Sequence, residues 1–246
     1  MKLTALGVWG GYPTADAGTT SYLLTSTDGI FHLLMDCGSR AVTELEHELS
    51  PNQLDAVILS HYHEDHIADL GVLRQYRQLQ AEKLPILPIY GHAENPYEFS
   101  KLTLENVSKG IAYDVENGTS IGPFDIQFLK TVHPVVNYAM RLVERETGKT
   151  LVYTGDTGFL SALTAFSAGA CVLLADVYHE KDKHDMPNHL SSVEAGTIAK
   201  NAAVKTLILT HLSQTANLSA LTEEAQKAAG TAVTTSLAQP HKIWEI

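Results

Sequence analysis

Apolar positions along this chain fall into short runs separated by clusters of Gly, Pro, Asp and Thr, a spacing that predicts strands more often than helices. Runs at 2–9, 21–26 and 31–36 are rich in β-formers. Residues 55–60, Asp-Ala-Val-Ile-Leu-Ser, read as a continuous apolar strand suited to burial on both faces. The period then changes. Ile67, Leu70, Leu73, Tyr76 and Leu79 share one face of a helix predicted over 67–83, which ends before Pro85. Strand patterns resume at 86–90, 124–131, 138–145 and 150–154, with the turn Glu146-Thr147-Gly148-Lys149 joining the last two. Two more apolar strands follow at 171–175 and 206–210. Helices are predicted over 191–202 and 219–229. The first opens on a capping-box pattern, Ser191-Ser192-Val193-Glu194, and the second stops at Gly230. A short strand over 242–246 closes the chain.

Strands dominate both halves, with helices between and after them, so the pattern predicts a layered α/β protein whose sheets are covered by helices. At 246 residues the expectation is a single domain spanning 1–246. An apolar fraction of 44% excludes a disordered chain, and no apolar run is long enough to cross a bilayer. The opening stretch is too short for an export signal and is broken by Gly10-Gly11-Tyr12-Pro13, so it reads as a first strand and implies a cytoplasmic protein. Cys37 and Cys171 sit in or beside apolar runs and read as two buried thiols, with no disulfide framework. The net charge of -11 disfavours a large polyanionic partner, because phosphate contacts need Lys and Arg. It leaves open a small substrate held directly by metal ions.

The segment Ser60-His61-Tyr62-His63-Glu64-Asp65-His66 follows a buried strand and precedes a helix. A solvated loop has no packing reason to collect three imidazoles. Imidazole and carboxylate are the ligand types that zinc, iron and manganese share. In a tight turn His61 and His63 converge on one ion, and Asp65 and His66 point to a second position. Each ion then needs further ligands from elsewhere. Three strand ends offer them: Thr131-Val132-His133-Pro134, Tyr153-Thr154-Gly155-Asp156-Thr157 and Leu209-Thr210-His211-Leu212-Ser213.

This order of residues resembles the metallo-β-lactamase superfamily, which carries His-x-His-x-Asp-His after a buried strand and then a His, an Asp and a final His at later strand ends. Met35-Asp36-Cys37-Gly38 is similar to the family's upstream Asp-x-Gly segment, in which Asp36 would anchor the metal loop. The resemblance runs from about residue 1 to residue 213. It implies an αββα sandwich, two mixed β-sheets flanked by helices, with the site at one edge. It also implies two divalent metal ions, zinc first, with Mn2+ or Fe compatible with the same ligands. By that pattern His61, His63 and His133 hold one ion, Asp65, His66 and His211 hold the other, and Asp156 bridges both.

Such a pair activates a water between its ions and acts as a Lewis acid on the attacked group, which serves thioesters, lactones, β-lactams and phosphodiesters alike. The segment Asp185-Met186-Pro187-Asn188-His189-Leu190-Ser191-Ser192 discriminates among them. It resembles the His-bearing motif of the ribonuclease Z and cyclic-phosphodiesterase branch, where the His is not a ligand. By analogy His189 contacts a phosphoryl oxygen or protonates the leaving alkoxide, while Ser191 caps the helix. Asp65 and His189 are thus the candidate catalytic residues. Between His133 and Asp156 there is room only for two strands and a turn, not for the long tRNA-clamping arm of the common bacterial form. The expected substrate is therefore a small or cyclic phosphodiester or a short nucleotide, without stable tRNA binding and without a membrane partner. A homodimer is the assembly that the branch suggests. Three alternatives remain at this point: a thioester or lactone hydrolase of the glyoxalase II kind, a tRNA 3′-processing endonuclease lacking the arm, and a metal-binding relative without turnover. Glu64 reads as solvent-facing or as a support behind the ligands, and His92 as a loop residue beside the cleft rather than a ligand. His179 and His184 read as a solvated loop, with a substrate entrance as the other reading. His32 and His47 carry no usable pattern.

Overall fold

The computed structural model describes residues 1–80, 84–181 and 187–246. Its strands are β1 (Lys2–Trp9), β2 (Gly18–Thr19), β3 (Ser21–Thr25), β4 (His32–Met35), β5 (Ala56–Ile58), β6 (Leu87–Gly91), β7 (Ser108–Ala112), β8 (Thr119–Ile121), β9 (Phe124–Lys130), β10 (Tyr138–Glu144), β11 (Thr150–Tyr153), β12 (Val172–Asp176), β13 (Thr206–Thr210), β14 (Thr234–Leu237) and β15 (Ile243–Glu245). The helices are α1 (Ala41–Leu45), α2 (Glu64–Ile67), α3 (Leu70–Gln78), α4 (Pro96–Ser100), α5 (Ala162–Phe166), α6 (Ser192–Asn201) and α7 (Leu218–Ala229). They divide between two compact units, Met1–Pro123 with Gln239–Glu245, and Phe124–Ala238 with Ile246.

The first unit is built on a sheet in the order β15-β1-β3-β4-β5-β6-β7, with β2 beside β1. Strands β1, β3 and β4 pair antiparallel, whereas β4, β5, β6 and β7 run parallel. Because β4 and β5 are parallel and in register, Met35 opposite Ile58, the loops carrying Asp36 and residues 59–66 leave from the same edge. Leu34, Val57 and Ile89 from these strands pack with Leu45 and Leu73 in one buried cluster. Such wholly apolar central strands are what a parallel sheet covered on both faces requires.

In the second unit the order is β14-β13-β12-β11-β10-β9. Here β9, β10 and β11 are antiparallel, and β11 to β14 are parallel. That topology sends the C-terminal ends of β9, β11, β12 and β13 to one edge, where residues 131–133, 154–157, 176–179 and 211 emerge. Both sheets are mixed, as expected. Helix α6 begins on the Ser191 capping box, with the Ser191 hydroxyl accepting from the Glu194 N–H.

Three differences from the sequence reading have local causes. The helix expected over 67–83 is two, α2 and α3, with residues 81–83 outside the described ones. Asp69 is drawn out of the helical path: its N–H bonds the Cys37 carbonyl at 3.0 Å and its carboxylate accepts the Val42 N–H at 3.1 Å. Helices α1, α4 and α5 went unread because five residues hardly show a period. Finally, Cys37 is fully buried, but Cys171 is only half-buried. Burial, aided by the Asp69 and Asp36 carboxylates, pushes the Cys37 thiol well up. A thiol reagent added to the folded protein should therefore label Cys171 and spare Cys37, with Cys37 reacting only after unfolding. Mass spectrometry of labelled peptides reads this directly, and rapid native labelling of Cys37 would contradict it.

Candidate functional site

In the first unit a buried carboxylate, Asp36, backs the turn from β5 into α2. Asp36 is fully buried and sits at φ 55, a left-handed conformation uncommon for a non-glycine residue. Its carboxylate accepts the Ser60 N–H at 2.7 Å, the Ser60 hydroxyl at 2.8 Å and lies 2.8 Å from His66 Nδ1. Gly38 lets the neighbouring segment pass close to this loop, since a Cβ there would lie 2.2 Å from the Asp65 carbonyl oxygen. The loop carries four of the expected ligands. His61 Nδ1 lies 3.0 Å from the Ser60 hydroxyl, and its Nε2 lies 3.1 Å from His63 Nδ1. His66 keeps Nε2 3.7 Å from Asp65 Oδ2, which also accepts the Gly11 N–H at 2.7 Å. Glu64 is exposed, as expected, and opens α2. His92 is buried. Its ring packs 4.5 Å from that of Tyr62, whose hydroxyl donates to the His92 carbonyl at 2.6 Å.

In the second unit Asp156 follows Gly155, which takes φ 55 so that the chain can bend at the strand end. Asp156 Oδ2 lies 3.9 Å from His133 Nε2 and 3.3 Å from His211 Nε2. One carboxylate oxygen thus faces two imidazole nitrogens, the placement a bridging ligand needs. His211, itself at φ 53, turns its other nitrogen, Nδ1, toward Asp176 Oδ1 at 3.3 Å. Asp176 Oδ2 holds His189 Nδ1 at 2.8 Å and accepts the Thr157 N–H at 3.0 Å. The rings of His189 and His211 are stacked, 5.1 Å apart and 18° from parallel. Burial opposes the His189 imidazolium, but the Asp176 carboxylate outweighs it and leaves the group above the usual histidine value. Burial likewise pushes Asp176 up, and the two histidines beside it bring it below the usual carboxylate value.

The sequence reading ends the apolar strand at residue 175 and leaves Asp176 out of it. An acid directly after an apolar run is the available signal, and the structure makes Asp176 the last residue of β12. His179 differs from the expectation of a solvated loop. It is buried, bridges to Ser191 and packs 5.1 Å from the Tyr178 ring, because its backbone pins the entry to α6. His184, Asp185 and Met186 lie outside the described residues. Between His133 and Asp156 only β10, a turn and β11 intervene, so no arm is present there.

The donor set fits divalent metal ions. His61, His66 and His211 each commit one ring nitrogen to a hydroxyl or carboxylate and turn the other toward another ligand-type atom. That division fixes the tautomer and orientation of a metal-binding imidazole. Oxygen and nitrogen donors of this kind suit zinc, manganese or iron.

The family model for the metallo-β-lactamase superfamily matches residues 15–211. The chain is 42% identical over 216 residues to the probable metallo-hydrolase YhfI of Bacillus subtilis, covering 86% of this chain and 87% of that protein. The crystal structure of YhfI superposes with a TM-score of 0.93 at 39% identity, over 99% of this chain and 98% of the other. A ribonuclease Z of Shouchella clausii is 26% identical over 271 residues, 87% of each chain.

Proposed function

Because this chain belongs to the metallo-β-lactamase superfamily, we propose that its two units work as one domain, a dinuclear metal-dependent hydrolase of small or cyclic phosphodiesters. The observation that carries the choice of reaction is His189 clamped by Asp176 beside the ligand His211. His61, His63 and His133 would hold one ion, Asp65, His66 and His211 the other, with Asp156 shared. When bound, the ions supply Lewis acidity to the scissile phosphoryl group and a water activated for attack at neutral pH.

The chain's own residues do the rest. Asp36 holds His66 by Nδ1 and the Ser60 N–H together, which keeps the loop of residues 60–66 in its turn. Asp176 holds His189 by Nδ1 at 2.8 Å and faces His211 Nδ1 at 3.3 Å. With Nδ1–H engaged, the Nε2–H of a protonated His189 is left to donate to the leaving alkoxide. The Asp176 carboxylate shifts His189 above the usual histidine value, which favours its protonated form. A sugar alkoxide leaves poorly without that proton, whereas the thiolate of a thioester needs it less. Similarity to ribonuclease Z agrees with a phosphodiester. The missing arm and the charge of -11 favour a short substrate over tRNA. Among the described residues no helix is long and apolar enough to cross a membrane.

The test is a side-by-side assay of the metal-analysed protein on a chromogenic phosphodiester, on 2′,3′- and 3′,5′-cyclic nucleotides and on a glutathione thioester. Phosphodiester turnover that disappears with chelator and returns with Zn2+ or Mn2+ is expected. Turnover of the thioester alone would overturn the reaction class, and full metal content with no ester hydrolysis would overturn the enzyme.

A further inference from the structure

A second group of ligand-type side chains lies within the first unit, away from the loop of residues 60–66. Glu44 and His47 are three residues apart across the end of α1, where the His47 N–H bonds the Glu44 carbonyl at 3.3 Å. Helical spacing of this kind sets both side chains on one face. His241 approaches that face from the turn before β15. Its backbone takes φ 61, an uncommon conformation for histidine, and is pinned by its own N–H to the Ala5 carbonyl at 2.8 Å. The strained turn brings His241 Nε2 to 2.9 Å from Glu44 Oε2 and Nδ1 to 3.0 Å from Glu48 Oε1. The His47 and His241 rings meet edge to face with centroids 5.2 Å apart.

We propose that Glu44, His47 and His241 form a further metal site for a zinc-class divalent cation, separate from the ligands assigned above. One ligand atom from each of the three residues lies within 4.8 Å of the other two. Nε2 and Oε2 stand 2.9 Å apart in a hydrogen bond, and a tetrahedral ion about 2.0–2.1 Å from each would part them only slightly. The exposed His47 would swing inward to complete the set. Two imidazoles and one carboxylate make a three-ligand set that leaves a coordination position for water. The surroundings are those of a metal-bound histidine: Glu48 accepts from Nδ1–H of His241, and Arg40 holds the other Glu44 oxygen at 2.5 Å. Glu44 is buried, which keeps the carboxylate in place, whereas His47 is exposed and open to an arriving ion. A bound ion would tie the segment before β15 to α1.

The rival reading is a histidinium clamped by two carboxylates with no metal. Zinc stoichiometry separates the two. The full chain is stripped with chelator, reloaded with Zn2+ alone, desalted and analysed for metal. His47→Ala, at an exposed position, should carry one zinc equivalent less than the unsubstituted protein and show a smaller zinc-dependent rise in Tm. Glu48→Gln keeps all three ligands, so it should regain the full count at saturating zinc with affinity lowered about 10–100-fold at this site. Equal zinc in His47→Ala and the unsubstituted protein would overturn the site and leave the clamp. The ligands of the proposed dinuclear centre are scored separately by His133→Ala, so failure of one assignment is not failure of the other.

Discussion

His189→Ala should lower cyclic-nucleotide turnover by about 10²–10⁴-fold, the range that a positioned proton donor contributes, while the metal content stays unchanged. The reasoning starts from the direction of its ring. Nδ1 is fixed on Asp176 at 2.8 Å, so His189 can offer only Nε2 to a substrate. The loss should depend on the leaving group. A nitrophenolate departs without help, so a nitrophenyl phosphodiester should lose less rate than a cyclic nucleotide, whose sugar alkoxide needs the proton. A uniform loss across leaving groups would indicate a contact to the phosphoryl oxygen instead. Unchanged turnover on every phosphodiester would sink the assignment, and thioester hydrolysis indifferent to His189 would move the protein to the carboxylic hydrolases. The measurement is kcat and kcat/KM across a leaving-group series, alongside metal analysis of the same preparations.

Asp36→Ala should be the most damaging single change to the first unit. The substitution strands the Ser60 N–H, the Ser60 hydroxyl and His66 Nδ1 in a fully buried place. Removing one partner of such a buried polar group costs about 3–5 kcal/mol. Alanine also tolerates φ 55 poorly. A fall in Tm and metal affinity lower by about 10–100-fold are expected together, because His66 would lose the contact that orients it. Asp36→Asn accepts the left-handed backbone and keeps the shape, but its amide offers one acceptor oxygen and puts an NH2 donor in place of the other. It should retain part of the stability while still binding metal weakly. Calorimetric unfolding with a zinc titration reads both effects. An Asp36→Ala protein as stable and as metal-avid as the original would show that the loop of residues 60–66 holds its turn without this carboxylate.

The same two residues mark how far a linear reading reaches. His61, His63, Asp65 and His66 were legible because they stand within six positions after an apolar run, and no packing demand collects such side chains there. His133, Asp156 and His211 were legible as strand-end residues in a family order. Most strands and the long helices α6 and α7 followed from period and caps, since burial on a sheet or a helix face imposes the period locally. Asp36 was visible through the resemblance, but its partners were not: the contact with His66 joins residues 30 positions apart, and parallel pairing of β4 with β5 makes it.

Other features exist only in three dimensions. Asp176 looks like an ordinary acid after a strand until β12 and β13 pair in register and set it opposite Thr210, next to His211. His179 reads as solvated until the bridge to Ser191 buries it. His47 shows no pattern at all. Its neighbour His241 lies nearly two hundred positions away, brought there by β15 pairing antiparallel with β1. Local periodicity and clustered ligands are written in adjacent residues, because helix, strand and turn preferences act over a few positions. Which distant carboxylate orients which imidazole is settled by strand order and register, and those follow from the burial of whole sheets rather than from any single segment.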